Sequence, residues 1–422
     1  MRLLYSIAFL LLLPSILCRL WLRGFRNPAY RDRWQERIGA YDRALRIEPP
    51  VWVHAVSVGE VSAAAPLIRA LRTRFPRVPV LVTTTTPTGY DTVTRQFGET
   101  VHHVYFPYDL PWFVRRFLAR FRPRMLLLME TELWPNVIHE CGLRGTPVVL
   151  VNGRMSEQSA SRYARLRGLT AEMLRGLTRI AAQTVADAER LCSLGAPAAR
   201  VDVTGSLKFD IHLPASVFEE GAAIRRDLGI NRPIVMAGST RPEEEEVLCA
   251  VLKRLRPRFP SMLLAIAPRH PERFDSVADT CRKAGLHVAR RRAGDGCGAE
   301  IDVYLVDTMG ELLKFYAAAD VAFVGGSLAP FGGQNVLEPA ALGVPVVTGP
   351  HLFNFEEIAA KLRGAGALQT GTDAEAVAAI IAAWLVDGER RDAAGAAGKA
   401  IVTSNKGATA AVVRIIEEAG LS

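Results

Sequence analysis

From residue 51 onward the chain alternates short apolar, β-branched runs with longer stretches whose apolar positions recur at helical spacing. This is the βαβ rhythm of parallel sheets covered by helices. The apolar runs predict strands at 51–56, 80–84, 125–129 and 148–151, with helices between them, for example at 61–72 and 112–121. A polar, Pro-containing segment, KFDIHLPAS at 208–216, interrupts the rhythm. It restarts with strands at 234–237, 263–267, 303–306, 321–324 and 344–347. The pattern predicts two Rossmann-like doubly wound α/β domains facing a cleft, in which a ligand would lie at the carboxyl ends of the strands. The predicted divisions are an anchor at 1–22, an N-terminal domain at 23–207 and a C-terminal domain at 208–422.

The front of the chain breaks this pattern. Residues 3–18 form an apolar run, LLYSIAFLLLLPSILC, which extended to residue 22 reaches the ~20 residues a membrane span needs. Arg19, Arg23, Arg26, Arg31 and Arg33 follow it. No A-x-A-like cleavage site follows, so the run reads as a retained single-pass anchor rather than a removed signal. With one Arg before the run and a cluster after it, the positive-inside rule places the body in the cytoplasm. The basic collar also suits anionic head groups. An N-terminal helix packed on the body is the plainer alternative, and it leaves unexplained why nearly every residue around that helix is apolar.

The composition narrows the classes further. The chain has 422 residues, 49% of them hydrophobic, and no low-complexity tract, which excludes disorder. The six cysteines show no paired or metal-like spacing, so neither a disulfide scaffold nor a metal site is expected. Of the net charge of +9, the first fifty residues hold +5, from nine Arg and four acids. The remainder shows no basic run interleaved with aromatics, which argues against nucleic acid. The dinucleotide fingerprint GxGxxG and the phosphate loop GxxxxGK[ST] are both absent, removing the best support for hydride transfer and NTP hydrolysis.

The most informative stretch is 325–351, GGSLAPFGGQNVLEPAALGVPVVTGPH. It predicts a strand, a Gly-rich loop with free backbone N–H groups, and a helix starting near Asn335 whose N-terminus faces an anion, with Glu338 placed for a ribose hydroxyl. The spacing of Asn335 and Glu338 is also that of a capping box. A second stretch, HAVSVGEVSAA at 54–64, ends the first strand. Ser57 and Glu60 again have capping-box spacing, while a carboxylate at a helix start, kept ionised by the dipole and N–H groups, can act as a general base on a sugar hydroxyl. Further polar clusters fall at strand ends: Glu130 and Glu132 in METELWPN, Lys208 in GSLKFD, residues 239–241 in GSTRP, Arg269 in APRHPERF, and Gly310 with Glu311 in DTMGEL. Singly, such residues are more often solvated or structural.

Together these stretches, from the anchor to Phe355, resemble the Kdo (3-deoxy-D-manno-octulosonic acid) transferases of lipopolysaccharide assembly. The resemblance implies a GT-B type glycosyltransferase. It implies inverting, metal-independent transfer of Kdo from CMP-Kdo to a lipid A precursor (lipid IVA) at the cytoplasmic face of the bacterial inner membrane, with no cofactor. Glu60 would be the base, and Glu130 and Lys208 would stabilise the transition state. Pro268, Arg269, Met309, Gly310, Glu311, Asn335, Val336, Leu337 and Glu338 would hold CMP. Two positions depart from the pattern: Gln334 stands where His is expected, and Glu243 where Gly is common. The competing readings are a UDP-sugar transferase or epimerase of the same fold, and an inert membrane-tethered sensor of a sugar nucleotide. Oligomeric state and the number of Kdo units added are not encoded in any motif.

Overall fold

The computed structural model describes residues 1–42 and 44–421; the side chain of Arg26, a member of the basic collar, lies outside the described set. The chain forms two compact units, residues 1–210 with 405–422 and residues 211–404.

The first unit is built on a seven-stranded, all-parallel sheet. Its strands are β1 (Val51–His54), β2 (Val80–Thr84), β3 (His102–Tyr105), β4 (Met125–Met129), β5 (Val148–Gly153), β6 (Arg179–Ala182) and β7 (Val201–Val203), in the order β3-β2-β1-β4-β5-β6-β7. Val53 pairs with Val82 on one side and Leu127 on the other. Helices cover both faces, which is why β1, β2 and β4 read as near-continuous apolar runs. Alternation still sorts side chains between layers. Val51 and Val53 pack with helix Val58–Arg74, whereas Trp52 joins Phe117 and Phe121 of helix Pro111–Phe121 on the opposite face.

The second unit repeats the plan with β8 (Ile234–Thr240), β9 (Leu263–Pro268), β10 (Val288–Arg290), β11 (Val303–Leu305), β12 (Val321–Val324), β13 (Val346–Thr348) and β14 (Leu368–Thr370). Their order is β10-β11-β9-β8-β12-β13-β14, again parallel throughout. In each sheet the first strand, β1 or β8, lies at the interior position where the strand order reverses direction, the usual place for ligands in such sheets.

The sequence assigns 208–422 to the second domain, but residues 405–422 return to the first unit. Helix Ala408–Glu418 buries Val412, Ile415 and Ile416 in the same core as Val61 and Leu67. Asp210 accepts the backbone N–H groups of Gly407 and Thr409 at 2.7 and 2.5 Å, which fixes the start of that helix. A repeating β/α pattern carries no sign of which sheet the last helix covers.

The apolar front forms one helix, Arg2–Arg26, the one helix among the described residues long and apolar enough to cross a membrane. Its first turns touch the first unit. Ser6 and Arg2 hydrogen-bond the Asn136 side chain, and the Phe9 ring lies 6.3 Å from that of Tyr108, tilted by 52°.

Candidate active site

β1 delivers its last residue, His54, to the carboxyl edge of the sheet, and helix Val58–Arg74 begins four residues later with Glu60 in its first turn. Glu60 reaches back over this turn to accept the Val56 N–H at 2.8 Å and the Ser57 hydroxyl at 3.4 Å. The capping box is therefore half-made, since the Ser57 side chain caps nothing. Burial pushes the Glu60 carboxyl up to about 8, the charge of Glu132 pushes the same way, and the Val56 N–H opposes them. This corrects the expectation that the helix start keeps Glu60 ionised. One hydrogen bond to a charged acceptor contributes roughly 1.5–3 kcal/mol, too little against burial beside two further carboxylates.

Those carboxylates come from the turn after β4. Glu132 accepts the Trp134 indole N–H at 2.9 Å and lies 4.0 Å from His54 Nε2. Burial lifts it to about 7, against the Trp134 hydrogen bond and with help from the Glu130 charge. His54 is fully buried, stacked on Phe106 at 3.7 Å with Nδ1 on the Thr83 hydroxyl at 2.9 Å. Burial drops its pKa to about 3, so it stays neutral and forms a wall rather than a proton carrier.

Glu130 follows β4 with φ of 53°, a left-handed backbone that ordinary residues adopt only when surroundings enforce it. Its carboxylate lies 3.7 Å from Lys208 Nζ. Lys208 sits on a short turn, Leu207–Phe209, pinned by two buried apolar neighbours and by Asn152, whose Oδ1 accepts the Leu207 N–H at 3.0 Å. Asn152 is itself left-handed, with φ of 56°, and ends β5. Glu60, Glu130, Glu132 and Lys208 thus meet at the carboxyl edge of one sheet: three carboxylates and one ammonium around a helix start.

In the second unit Pro268 closes β9, and the Arg269 N–H bonds to the Thr240 carbonyl at 3.0 Å. Asn335 donates to the Glu338 carboxylate at 3.0 Å and accepts the Leu337 N–H at 3.1 Å. Burial raises the Glu338 carboxyl, with the Asn335 hydrogen bond and the Arg269 charge pulling it back, so Arg269, Asn335 and Glu338 share one site. Val336 and Leu337 between them are buried. Met309 is exposed, and Gly310 turns the chain with φ of 84°. Glu311 is held by Arg291 at 3.1 Å and by the Thr308 hydroxyl. Burial pushes the Glu311 carboxyl up, but these hydrogen bonds outweigh it and leave it below the usual range. Glu311 is thus committed to Arg291.

Two expectations about the Gly-rich loop need correction. Its N–H groups are not free: the buried Glu244 carboxylate accepts those of Gly326, Ser327 and Leu328 at 2.7, 2.9 and 3.0 Å, and that of Arg241 at 2.9 Å. Gly325 is required because a Cβ there would lie 2.6 Å from the Ser239 carbonyl oxygen. The following helix runs Leu337–Leu342, two residues later and shorter than expected, because Asn335 bonds forward to Leu337 and Glu338 instead of opening the helix. Glu243, in place of the common Gly, holds φ of 75°, so the turn that Gly would favour is kept. Gln334 packs against Gly326.

The sequence reading did not include Glu132, Asn152 or Glu244 among the site residues. Asn152 had a local signal, Asn-Gly after an apolar strand. Glu132 stood out only as one of two acids at a strand end, and Glu244 had no local signal, since three of its donors lie 82 to 84 residues away.

Residues 32–211 match the family described as 3-Deoxy-D-manno-octulosonic-acid transferase (kdotransferase), and residues 292–401 match Glycosyl transferases group 1. A protein of Haemophilus influenzae named 3-deoxy-D-manno-octulosonic acid transferase is 39% identical over 409 residues, 96% of each chain. One of the same name from Bordetella pertussis is 41% identical over 427 residues, 98% of each. Among solved structures, the UDP-GlcNAc 2-epimerase of Neisseria meningitidis aligns over 87% of this chain and all of its own, with a TM-score of 0.57 at 14% identity, a likeness of fold alone.

Proposed function

Because the chain belongs to the 3-deoxy-D-manno-octulosonic acid transferase family and is a glycosyltransferase of GT-B fold, we propose that it moves Kdo from CMP-Kdo to a lipid A precursor, lipid IVA, with inversion and Glu60 as general base. The observation that carries this reading is the half-satisfied Glu60 carboxyl beside Glu130, Glu132 and Lys208, with a pKa lifted to about 8. A base whose pKa lies near the working pH takes a proton well from an alcohol. At pH 7 about a tenth of it is ionised, enough to support turnover.

The acceptor hydroxyl gives its proton to Glu60 as its oxygen forms the bond to the anomeric carbon. The bond from that carbon to the phosphate oxygen breaks, and CMP leaves with the electron pair. Lys208, held by Glu130, balances charge that develops during transfer. Arg269, Asn335 and Glu338, with the Pro268 turn, Val336, Leu337 and the Met309–Glu311 turn, hold the donor, Glu338 serving the ribose. The reading needs neither metal nor cofactor, because a cationic surround suffices for a nucleoside monophosphate leaving group. Helix Arg2–Arg26 attaches the body to the cytoplasmic face of the inner membrane, where the lipid acceptor resides.

Mass spectrometry of a tetra-acylated lipid A precursor incubated with the solubilised protein and freshly generated CMP-Kdo tests this directly. A gain of one or more whole Kdo units is expected, undiminished by a metal chelator. An unmodified acceptor beside an active control enzyme overturns the donor and acceptor assignment. Retained nucleotide binding without turnover in the unaltered protein would favour a sensor.

A further inference from the structure

We propose that helix Arg2–Arg26 does not cross the membrane: it lies along the bilayer surface as a hairpin arm whose two ends are both tied to the first unit, with its exposed apolar face in an anionic lipid leaflet. The proposal rests on the membrane attachment above and changes its geometry.

The start of the helix is stitched down by polar contacts. Arg2 Nη1 and Ser6 Oγ both donate to Asn136 Oδ1, at 3.1 and 3.2 Å, and Arg2 Nε lies 3.8 Å from Glu172. Tyr5 hydrogen-bonds the fully buried Asp109, whose carboxylate also accepts the N–H groups of Asn136 and Val137 at 3.1 and 2.8 Å. Burying polar groups in this way is favourable only while the partners stay together.

The other end returns to the same unit almost at once. Residues 28–30 fold back against the helix, and the Arg31 guanidinium lies 4.2 Å over Trp21 and 4.1 Å over Phe25. Arg33 then donates to the His103 carbonyl at 2.8 Å, Glu36 accepts the Tyr105 N–H at 2.8 Å, and the Arg37 carbonyl accepts the Tyr108 N–H at 2.7 Å. The helix is about 37 Å long at 1.5 Å per residue. Between Arg26 and Arg33 the chain reaches at most about 25 Å even if fully extended. A hydrocarbon core of about 30 Å is wider than that, and it admits no irregular backbone exposed to lipid. A helix that crossed would leave one of its two attachments on the wrong side.

The pattern of exposure fits a helix lying on its side. The less exposed positions, among them Arg2, Ser6, Phe9, Leu13, Leu20 and Gly24, recur every three or four residues over the whole length. The opposite stripe, Leu3, Ile7, Leu11, Trp21, Leu22 and Phe25, is exposed by 47% or more. Charge complementarity identifies what covers this stripe. The helix holds four Arg and no acid, and Arg19 and Arg23 flank the stripe in the open, next to Trp21. An apolar stripe flanked by Arg and carrying an interfacial Trp suits an anionic leaflet.

The test labels the two ends. A cysteine inserted directly after Met1 and, separately, Pro28→Cys, both at exposed positions beyond the ends of the apolar stripe, are made in full-length protein carrying Cys18→Ser, since Cys18 is exposed on the same helix, with Cys18→Ser alone as background. A membrane-impermeant maleimide is added to sealed inner-membrane vesicles of both orientations. Both positions should label in inside-out vesicles and neither in right-side-out ones. Labelling of the N-terminal cysteine from the outer side overturns the proposal, as does its protection on both sides until detergent is added. A chain recovered in the soluble fraction, away from the vesicles, is a different failure, that of the membrane attachment itself.

Discussion

Glu60 and Glu244 occupy equivalent places in the two sheets. Each sits in the first turn of the helix that follows the first strand of its sheet, β1 or β8, where the strand order reverses. Glu244 is buried and accepts four backbone N–H groups, three of them from the turn after β12. Glu60 accepts one such group and otherwise faces Glu130 and Glu132. One carboxylate has its lone pairs filled by backbone and holds a loop in shape. The other is left short of donors among like charges, so its affinity for a proton rises. Position in the fold makes both candidates for chemistry, and the donors around them separate a base from a brace.

The largest effect expected is on turnover. Glu60→Gln keeps size and hydrogen-bonding reach but takes no proton, so kcat should fall about 10²–10⁴-fold, the usual worth of a general base. CMP should bind as before, which calorimetry checks. A variant with near-normal kcat would remove Glu60 from the chemistry and erase the contrast. The reciprocal change, Glu244→Ala, strands four buried donors and should lower stability by roughly 3 kcal/mol or more, read from the denaturant midpoint. If the midpoint holds while donor binding is lost, Glu244 belongs to the ligand and not to the scaffold.

How much of this was legible depends on where the partners lie in the chain. The central strands announced themselves, because a strand covered on both faces must be apolar throughout. Four of the five unexpected strands, β3, β7, β10 and β14, are the four sheet edges, and their sequences HHVY, VDV, VAR and LQT are short or polar as edges tend to be. The fifth, β6, reads RIAA, too short and Ala-rich to separate from a helix. In the site, Glu60, Glu130 and Lys208 could be picked out from motif and strand-end position. The saturation of Glu244 could not, since three of its four donors lie 82 to 84 residues away. For the same reason the Gly-rich loop looked like an empty anion cradle, although the chain fills it with its own carboxylate.

Protonation should set the two glutamates apart in stability as well. The folded-state pKa of Glu60 is raised, so its neutral form is the one that fits the fold. The stability linked to it is fully present below its unfolded value of about 4.5 and is lost as pH rises through about 8. Glu60→Gln, which stays neutral, should therefore match the parent in melting temperature near pH 4.5, exceed it increasingly toward pH 8, and level off above. Glu244→Gln should melt below the parent at neutral pH, since an amide offers the four donors a weaker acceptor. A Glu60→Gln protein less stable than its parent at pH 8 would mean that the carboxylate is itself well satisfied.

The smallest effect sharpens the account of why Glu60 is raised. Burial is its main cause and the Glu132 charge the next, so Glu132→Gln should remove the second and leave the first. The acid limb of kcat/KM, which reports the free enzyme's base, should then move to lower pH from about 8 by less than one unit, because part of the repulsion, from Glu130, remains. Glu132 titrates near 7 and so is charged across the upper part of the limb, around its midpoint near 8, where the shift is read. A limb that stays put would leave burial and Glu130 as the causes, and a limb that moves upward would mean that Glu132 assists the ionised form of Glu60. In either case the repulsion of Glu132 would drop out of the contrast, and the two glutamates would differ chiefly in their backbone N–H donors, one against four.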